Sequence, residues 1–146
     1  MPALAALIAL AAPSTGRALQ RPMSLGALCA RSALVVVGEV TGLESMFSAD
    51  GSGRIETWAD VAVVQTLRGD PPREGLRVLV PGGAAAGLRL TVEDAPTLRV
   101  DAPTLLLLTP LERGAGWAVL GGEAGARPVQ RGARLSLADL EGCHAP

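Results

Sequence analysis

Ile55-Glu56-Thr57-Trp58-Ala59-Asp60-Val61-Ala62-Val63-Val64-Gln65-Thr66-Leu67 decides the architecture of this chain. Successive side chains of a strand point to opposite faces. One face therefore reads Ile55, Thr57, Ala59, Val61, Val63, Gln65 and Leu67. The other reads Glu56, Trp58, Asp60, Ala62, Val64 and Thr66. Alternation over this length is a strand signal. Ala62 and Val64 make the far half of this pattern two-sided. Gly69-Asp70-Pro71-Pro72 then forces a turn, because neither proline can donate to a ladder.

Upstream, Ser24 can cap a short helix through Leu25, Leu28 and Arg31. It leads into Ala33-Leu34-Val35-Val36-Val37-Gly38-Glu39-Val40. Three consecutive β-branched valines favour a pleated surface buried on both faces at its start. Gly38 inside the run suggests a bulge or bend. The strand is expected to continue through Met46, and Asp50-Gly51 carries hairpin-loop chemistry.

Downstream, Leu76-Arg77-Val78-Leu79-Val80 is a third strand, halted by Pro81-Gly82-Gly83. Ala84-Ala85-Ala86-Gly87 reads as loop, and Leu88 to Val92 as a short edge strand. Thr104 to Thr109 is an interior strand between Pro103 and Pro110. Gly114-Ala115-Gly116 turns it into Trp117-Ala118-Val119-Leu120, and Pro128-Val129-Gln130 is a sixth segment. Ser136, with Asp139 three residues on, starts a last helix toward Gly142. With no strand–helix–strand alternation, the pattern describes an all-β barrel or sandwich with short terminal helices.

The 146 residues set an expectation of one domain, and 49% hydrophobic content is enough for a core. Lys, Asn and Tyr are absent, so every basic residue is Arg, a sign of coding bias that lowers what any one Arg implies. Arg54, Arg68, Arg77 and Arg89 read as a solvated exterior. A net charge of −1, with only Phe47, Trp58 and Trp117 as aromatics, argues against nucleic acid.

Ala3 to Ala12 is apolar over the length of a signal-peptide core, and small residues precede a cut after Ala18. Residues 1–18 are therefore expected to be an export signal and 19–146 the mature domain, secreted or in the periplasm or cell envelope. The alternative is a buried N-terminal helix. No apolar run reaches the roughly 20 residues that span a bilayer. Cys29 and Cys143 sit at opposite ends of the mature domain, and in an exported protein an even count invites a disulfide between them; two unrelated buried thiols are the equal alternative. Leu28 before Cys29 argues against lipidation. No closely spaced set of ligands marks a metal site, and no cofactor is expected.

Leu28-Cys29-Ala30-Arg31-Ser32-Ala33-Leu34-Val35-Val36-Val37-Gly38-Glu39-Val40 resembles the opening of netrin-like domains and of tissue inhibitors of metalloproteases. There a cysteine and a helical turn lead into a valine-rich first strand. Leu67-Arg68-Gly69 resembles the end of their second strand, and residues 105–108 their central strand. Uncharacterised exported bacterial proteins share this layout, with a third strand ending as Val80-Pro81-Gly82-Gly83 does. The resemblance runs from about Leu25 to Val129. It implies an OB-like five-stranded barrel, which with the strand pattern gives the expectation of a small five- to six-stranded antiparallel OB-like barrel. It does not imply inhibition, which in that family needs the amino group of an N-terminal cysteine within a Cys-x-Cys motif. Cys29 is isolated and about ten residues inside the mature start.

Catalytic chemistry is poorly supplied. His144 is the sole histidine and sits near the chain end. Glu93 and Asp94 would point to opposite faces of a strand. The serines lack a nucleophile elbow, and Gly82-Gly83 and Gly121-Gly122 lack a phosphate-loop context. Trp58 shares a face with Glu56 and Asp60 and, if exposed, could anchor a partner; the favoured reading places it beneath the first loop. The expectation is an exported, non-enzymatic binding or accessory module for an extracellular or envelope protein. A metalloprotease-inhibitor-like protein and a small hydrolase are the alternatives.

Overall fold

The computed structural model describes residues 23–140 and 142–143. The expected export segment and His144 lie outside the described residues. Helix α1 (Leu25–Arg31) starts at Ser24, whose hydroxyl accepts from the Ala27 amide as expected of an N-cap. Strands β1 (Leu34–Phe47) and β2 (Ile55–Arg68) form a long hairpin, followed by β3 (Leu76–Pro81), β4 (Gly83–Ala85) and β5 (Leu88–Leu90). Then come β6 (Pro103–Pro110), β7 (Trp117–Val119) and β8 (Ala126–Pro128).

Five strands close a barrel in the order β1-β2-β3-β7-β6, with β6 returning onto β1. This ring corrects the purely antiparallel expectation. Five strands cannot alternate up and down around a closed circle, so at least one neighbouring pair must run parallel. That pair is β3–β7, joined at Val78↔Trp117 and Leu79↔Ala118. Strand β8 adds to the end of β6 that β7 leaves free.

The barrel interior holds Leu34, Val36 and Val40 of β1, Ala59 and Val61 of β2, Leu76 and Val78 of β3, and Leu106 and Leu108 of β6. A second apolar layer lies outside it. Val35 and Val37 of β1 and Leu105 and Leu107 of β6 face Leu28 and Cys29 of α1, with Leu140 and Cys143 beside them. The start of β1 and residues 105–108 of β6 are therefore covered on both faces, which is why their sequences run as unbroken Val and Leu. Each fully buried side chain of this kind contributes about 1.5–3 kcal/mol. A Cys29–Cys143 disulfide, 114 residues apart with Cα atoms at 5.3 Å, ties the two ends across this outer layer.

Other local readings need correction. Val63 pairs with Gly38 but Gln65 pairs with Val37, so Val64 is an extra residue in the ladder. That bulge rotates the alternation by one, and Leu67 packs into the outer layer rather than into the barrel. Ala62 and Val64 are exposed. Gly38 is needed at this bend, since a Cβ there would overlap the Val61 side chain. The Ala84–Gly87 segment is no plain loop: β4 and β5 pair through Ala85↔Leu88, with Ala86 at φ 50° and Gly87 at φ 77°. Two positive φ values make the tight turn that fits strand twist, and the Ala in the first place hid it. Glu93 and Asp94 lie in a turn after β5 and not on a strand. The expected C-terminal helix is a single 3-10 turn (Leu137–Asp139), capped reciprocally by Ser136 and Asp139.

Candidate functional site

The outward face of the β1–β2–β3 sheet collects the residues singled out for partner contact. Cross-strand neighbours share a face, so register fixes its membership. Trp58 pairs with Glu44 of β1 on one side and Leu79 of β3 on the other. Glu56 pairs with Met46 and Pro81, and Asp60 with Gly42 and Arg77. Trp58 is thus a half-buried ring in mid-sheet, with Glu44 directly opposite and Glu56 and Asp60 two residues away on either side.

Arg77 completes this face. Its guanidinium carbon lies 4.9 Å from the centroid of the Trp58 ring, and its Nε sits 3.3 Å from Asp60 Oδ1. The ion pair is more than half exposed, so it is worth no more than about 1 kcal/mol. The ring contact adds a similar amount at an exposed site, roughly 0.5–1 kcal/mol. Gly116 also lies against the ring: a Cβ there would come within 2.9 Å of the Trp58 edge. Trp58 therefore packs against Arg77 and the turn before β7, not beneath the first loop. Among the described residues no ion pair within 4.0 Å engages Glu44 or Glu56.

The inner side of the same hairpin opens into a cleft of about 490 Å³. Its walls include Leu43, Val80, Leu90, Val92 and Leu98, and Arg89 is its single charged lining residue. The volume falls in the range of ligand sites, roughly 300–1,000 Å³. Within it, Thr57 Oγ1 donates to the Gly82 carbonyl at 2.7 Å, so the 2.8 Å contact with Ser45 must be donated by Ser45. That relay holds the β3–β4 corner close over the end of the hairpin. Gly83 is the residue that fits there, because its φ of 133° and its contact with both hydroxyls leave no room for a Cβ.

In the β1–β2 loop, Asp50 accepts from the Ser52 amide at 2.9 Å and from Arg54 Nη2 at 2.8 Å. Bonds from Ser52, and secondarily Arg54, hold its carboxyl well below the usual carboxylate range. This is loop architecture rather than a reacting group. Among the described residues, no group of three or more His, Cys, Asp or Glu is placed to hold a metal ion. No helix among them is long and apolar enough to cross a membrane. Cys29 is fully buried and bonded to Cys143.

No protein-family model matches the chain, and no curated protein matches it either.

Trp58, Glu56 and Asp60 come together on one face as their alternation requires. Glu44 and Arg77 were missed as members of it, because each joins through the register of a different strand. The only local signal for Glu44 was its place between Leu43 and Ser45 on an extended segment. The cleft had no local signal, since its walls come from positions spread over residues 43–98.

Proposed function

We propose that this domain is an exported, non-enzymatic binding module that holds an extracellular or envelope protein against the outer face of its β1–β2–β3 sheet. The observation that carries this reading is Trp58, half-buried in mid-sheet with Glu44 opposite it and Glu56 and Asp60 on either side. A rigid aromatic anchor within a polar surround is the usual composition of an interface hot spot. Three carboxylates against the one Arg77 guanidinium favour a partner with a positive contact surface. The expected signal at residues 1–18 and the disulfide support placement outside the reducing cytosol.

The netrin-like resemblance accounts for the helix–valine strand opening and fits a closed barrel. An inhibitor reading gains less from it. Cys29 lies within α1, where its nitrogen is the amide that follows Leu28, so it has no free amino group to offer a zinc ion.

The test is capture from the native exported fraction on the immobilised domain, compared with Trp58→Ala and Glu56→Lys variants of unchanged thermal midpoint. The expected result is a protein retained by the parent and released at least tenfold more readily by both variants. Equal retention by all three would remove this face from the function. Inhibition of a zinc protease at micromolar concentration would replace the reading with the inhibitor-like one.

A further inference from the structure

We propose that the free edge of β1, residues 42–47, receives an extended peptide segment of the partner, one whose side chains alternate apolar and basic. This rests on the binding-module reading and specifies how the partner is held. Beyond Val40, β1 leaves the barrel wall: its pairing with β6 ends at Glu39, whereas its pairing with β2 continues to Phe47↔Ile55. The Val40 carbonyl is still used, by the Asp101 amide at 2.8 Å. Among the described residues, no backbone hydrogen bond joins residues 42–47 to any segment except β2. Such an edge is a template for one further strand.

The edge is also apolar where edges are normally guarded. Leu43 is 44% exposed and Phe47 42%. Both share the inner face of the hairpin with Ser45, since their partners are Ala59, Ile55 and Thr57. Glu44 is the one charged residue on this stretch, and it lies on the opposite face.

The two faces beside the edge differ in chemistry, and that difference defines the occupant. A strand laid along residues 42–47 sends alternate side chains to opposite sides. On the inner side they meet the cleft, walled by Leu43, Leu90 and Val92, where Arg89 is the lone charge and would repel a basic side chain. On the outer side they come beside Glu44, with Glu56 and Asp60 one strand further on. At a strand spacing of about 4.8 Å these carboxylates lie at or within a Debye length of the added strand. Apolar residues inward and basic residues outward satisfy both faces at once. A one-residue slip would place every side chain on the wrong side.

The probe is a fluorescently labelled, end-capped nonapeptide alternating Val and Arg, titrated into the folded domain and followed by anisotropy. Two control peptides accompany it: one of the same composition with the residues in two blocks, and one alternating but N-methylated at every second amide. The expected result is saturable binding of the alternating peptide, weakened at least tenfold in both controls. Glu44→Lys, a change at an exposed side chain, and Leu43→Lys should each weaken it at least tenfold. Equal binding of the blocked peptide would reduce the effect to general charge attraction and overturn the proposal. So would insensitivity to N-methylation or to Glu44→Lys, or the absence of binding. Sedimentation from 1 to 100 μM checks the competing occupant: a dimer abolished by Leu43→Lys would assign the edge to a second copy of this chain. If the Trp58-dependent capture succeeds while the peptide fails, only this inference falls. If the capture fails while the alternating peptide binds with the expected sensitivities, the edge stands as a peptide site and the Trp58 face does not.

Discussion

The side-chain amide of Gln65 and the backbone of Leu135 exchange two hydrogen bonds, Gln65 Nε2 donating to the Leu135 carbonyl and the Leu135 amide donating to Gln65 Oε1 at 3.1 Å. A side chain on β2 thus imitates one rung of a ladder and docks the C-terminal segment 70 residues away. The bulge at Val64 makes this possible, because without it Gln65 would continue the inner face of β2.

Replacing Gln65 by Ala should leave a half-buried amide and carbonyl of Leu135 without their partners. The expected cost is about 1–3 kcal/mol, a fall in thermal midpoint of roughly 5 °C. Hydrogen exchange at Leu135 should accelerate selectively. Gln65→Glu keeps the acceptor for the Leu135 amide but sets a carboxylate oxygen against the Leu135 carbonyl, so it should also lower the midpoint. An unchanged midpoint in both variants would show that the tail is held by other contacts.

The Cys29–Cys143 bond closes a loop spanning nearly the whole described chain. On the chain-entropy account its loss costs about 4–5 kcal/mol, or roughly 10–20 °C. The check is calorimetry of the Cys29→Ala/Cys143→Ala double variant. Intact mass gives a second readout: alkylation without reductant should add nothing, and alkylation after reduction should label both cysteines.

Gly38 sits where β1 bends against β2, with Val61 filling the space a side chain would need. Gly38→Ala should destabilise by about 1–3 kcal/mol, the usual cost of overpacking. Removing the obstruction tests the cause. In the Gly38→Ala/Val61→Ala double variant the two costs should be less than additive, by at least ~0.5 kcal/mol. Full additivity in urea unfolding would rule out the Val61 contact as the reason for glycine.

Asp50 is held ionised by Ser52 and Arg54. Because its folded value is depressed, its stabilising contribution is complete above the ordinary value of 3.8 and fades as pH falls below it. Its carboxyl carbon shift should therefore titrate clearly below that value. Ser52→Ala should move the midpoint back toward the ordinary carboxylate range, since Ser52 supplies the leading bond. A parent midpoint at the ordinary value would contradict the loop geometry.

Much of the barrel was legible in short windows, since alternation, valine runs and proline stops are local properties. The strands β1, β2, β3 and β6 follow them closely, and the Ser24 and Ser136 caps form as their spacing requires. Trp58, Glu56 and Asp60 share a face for the same reason. The reading failed where one residue changed the phase. Val64 bulges out of the ladder, and Gln65 and Leu67 go to a different layer than strict alternation assigns. It failed again at Ala86, where a left-handed alanine conceals a hairpin that glycine or asparagine would have announced.

From its residues alone this chain determined that it would form strands around an apolar interior, that the valine run opening β1 would be covered on both faces, and which two cysteines were available to join its ends. Ring closure decided the parallel β3–β7 pair, and inter-strand register decided that Glu44 and Arg77 meet Trp58 while one stretch of β1 stays unpaired. The physical reason is that alternation is set by the covalent chain one residue at a time. Register is set by contacts between segments far apart in sequence, where a single extra residue such as Val64 resets the assignment of everything beyond it.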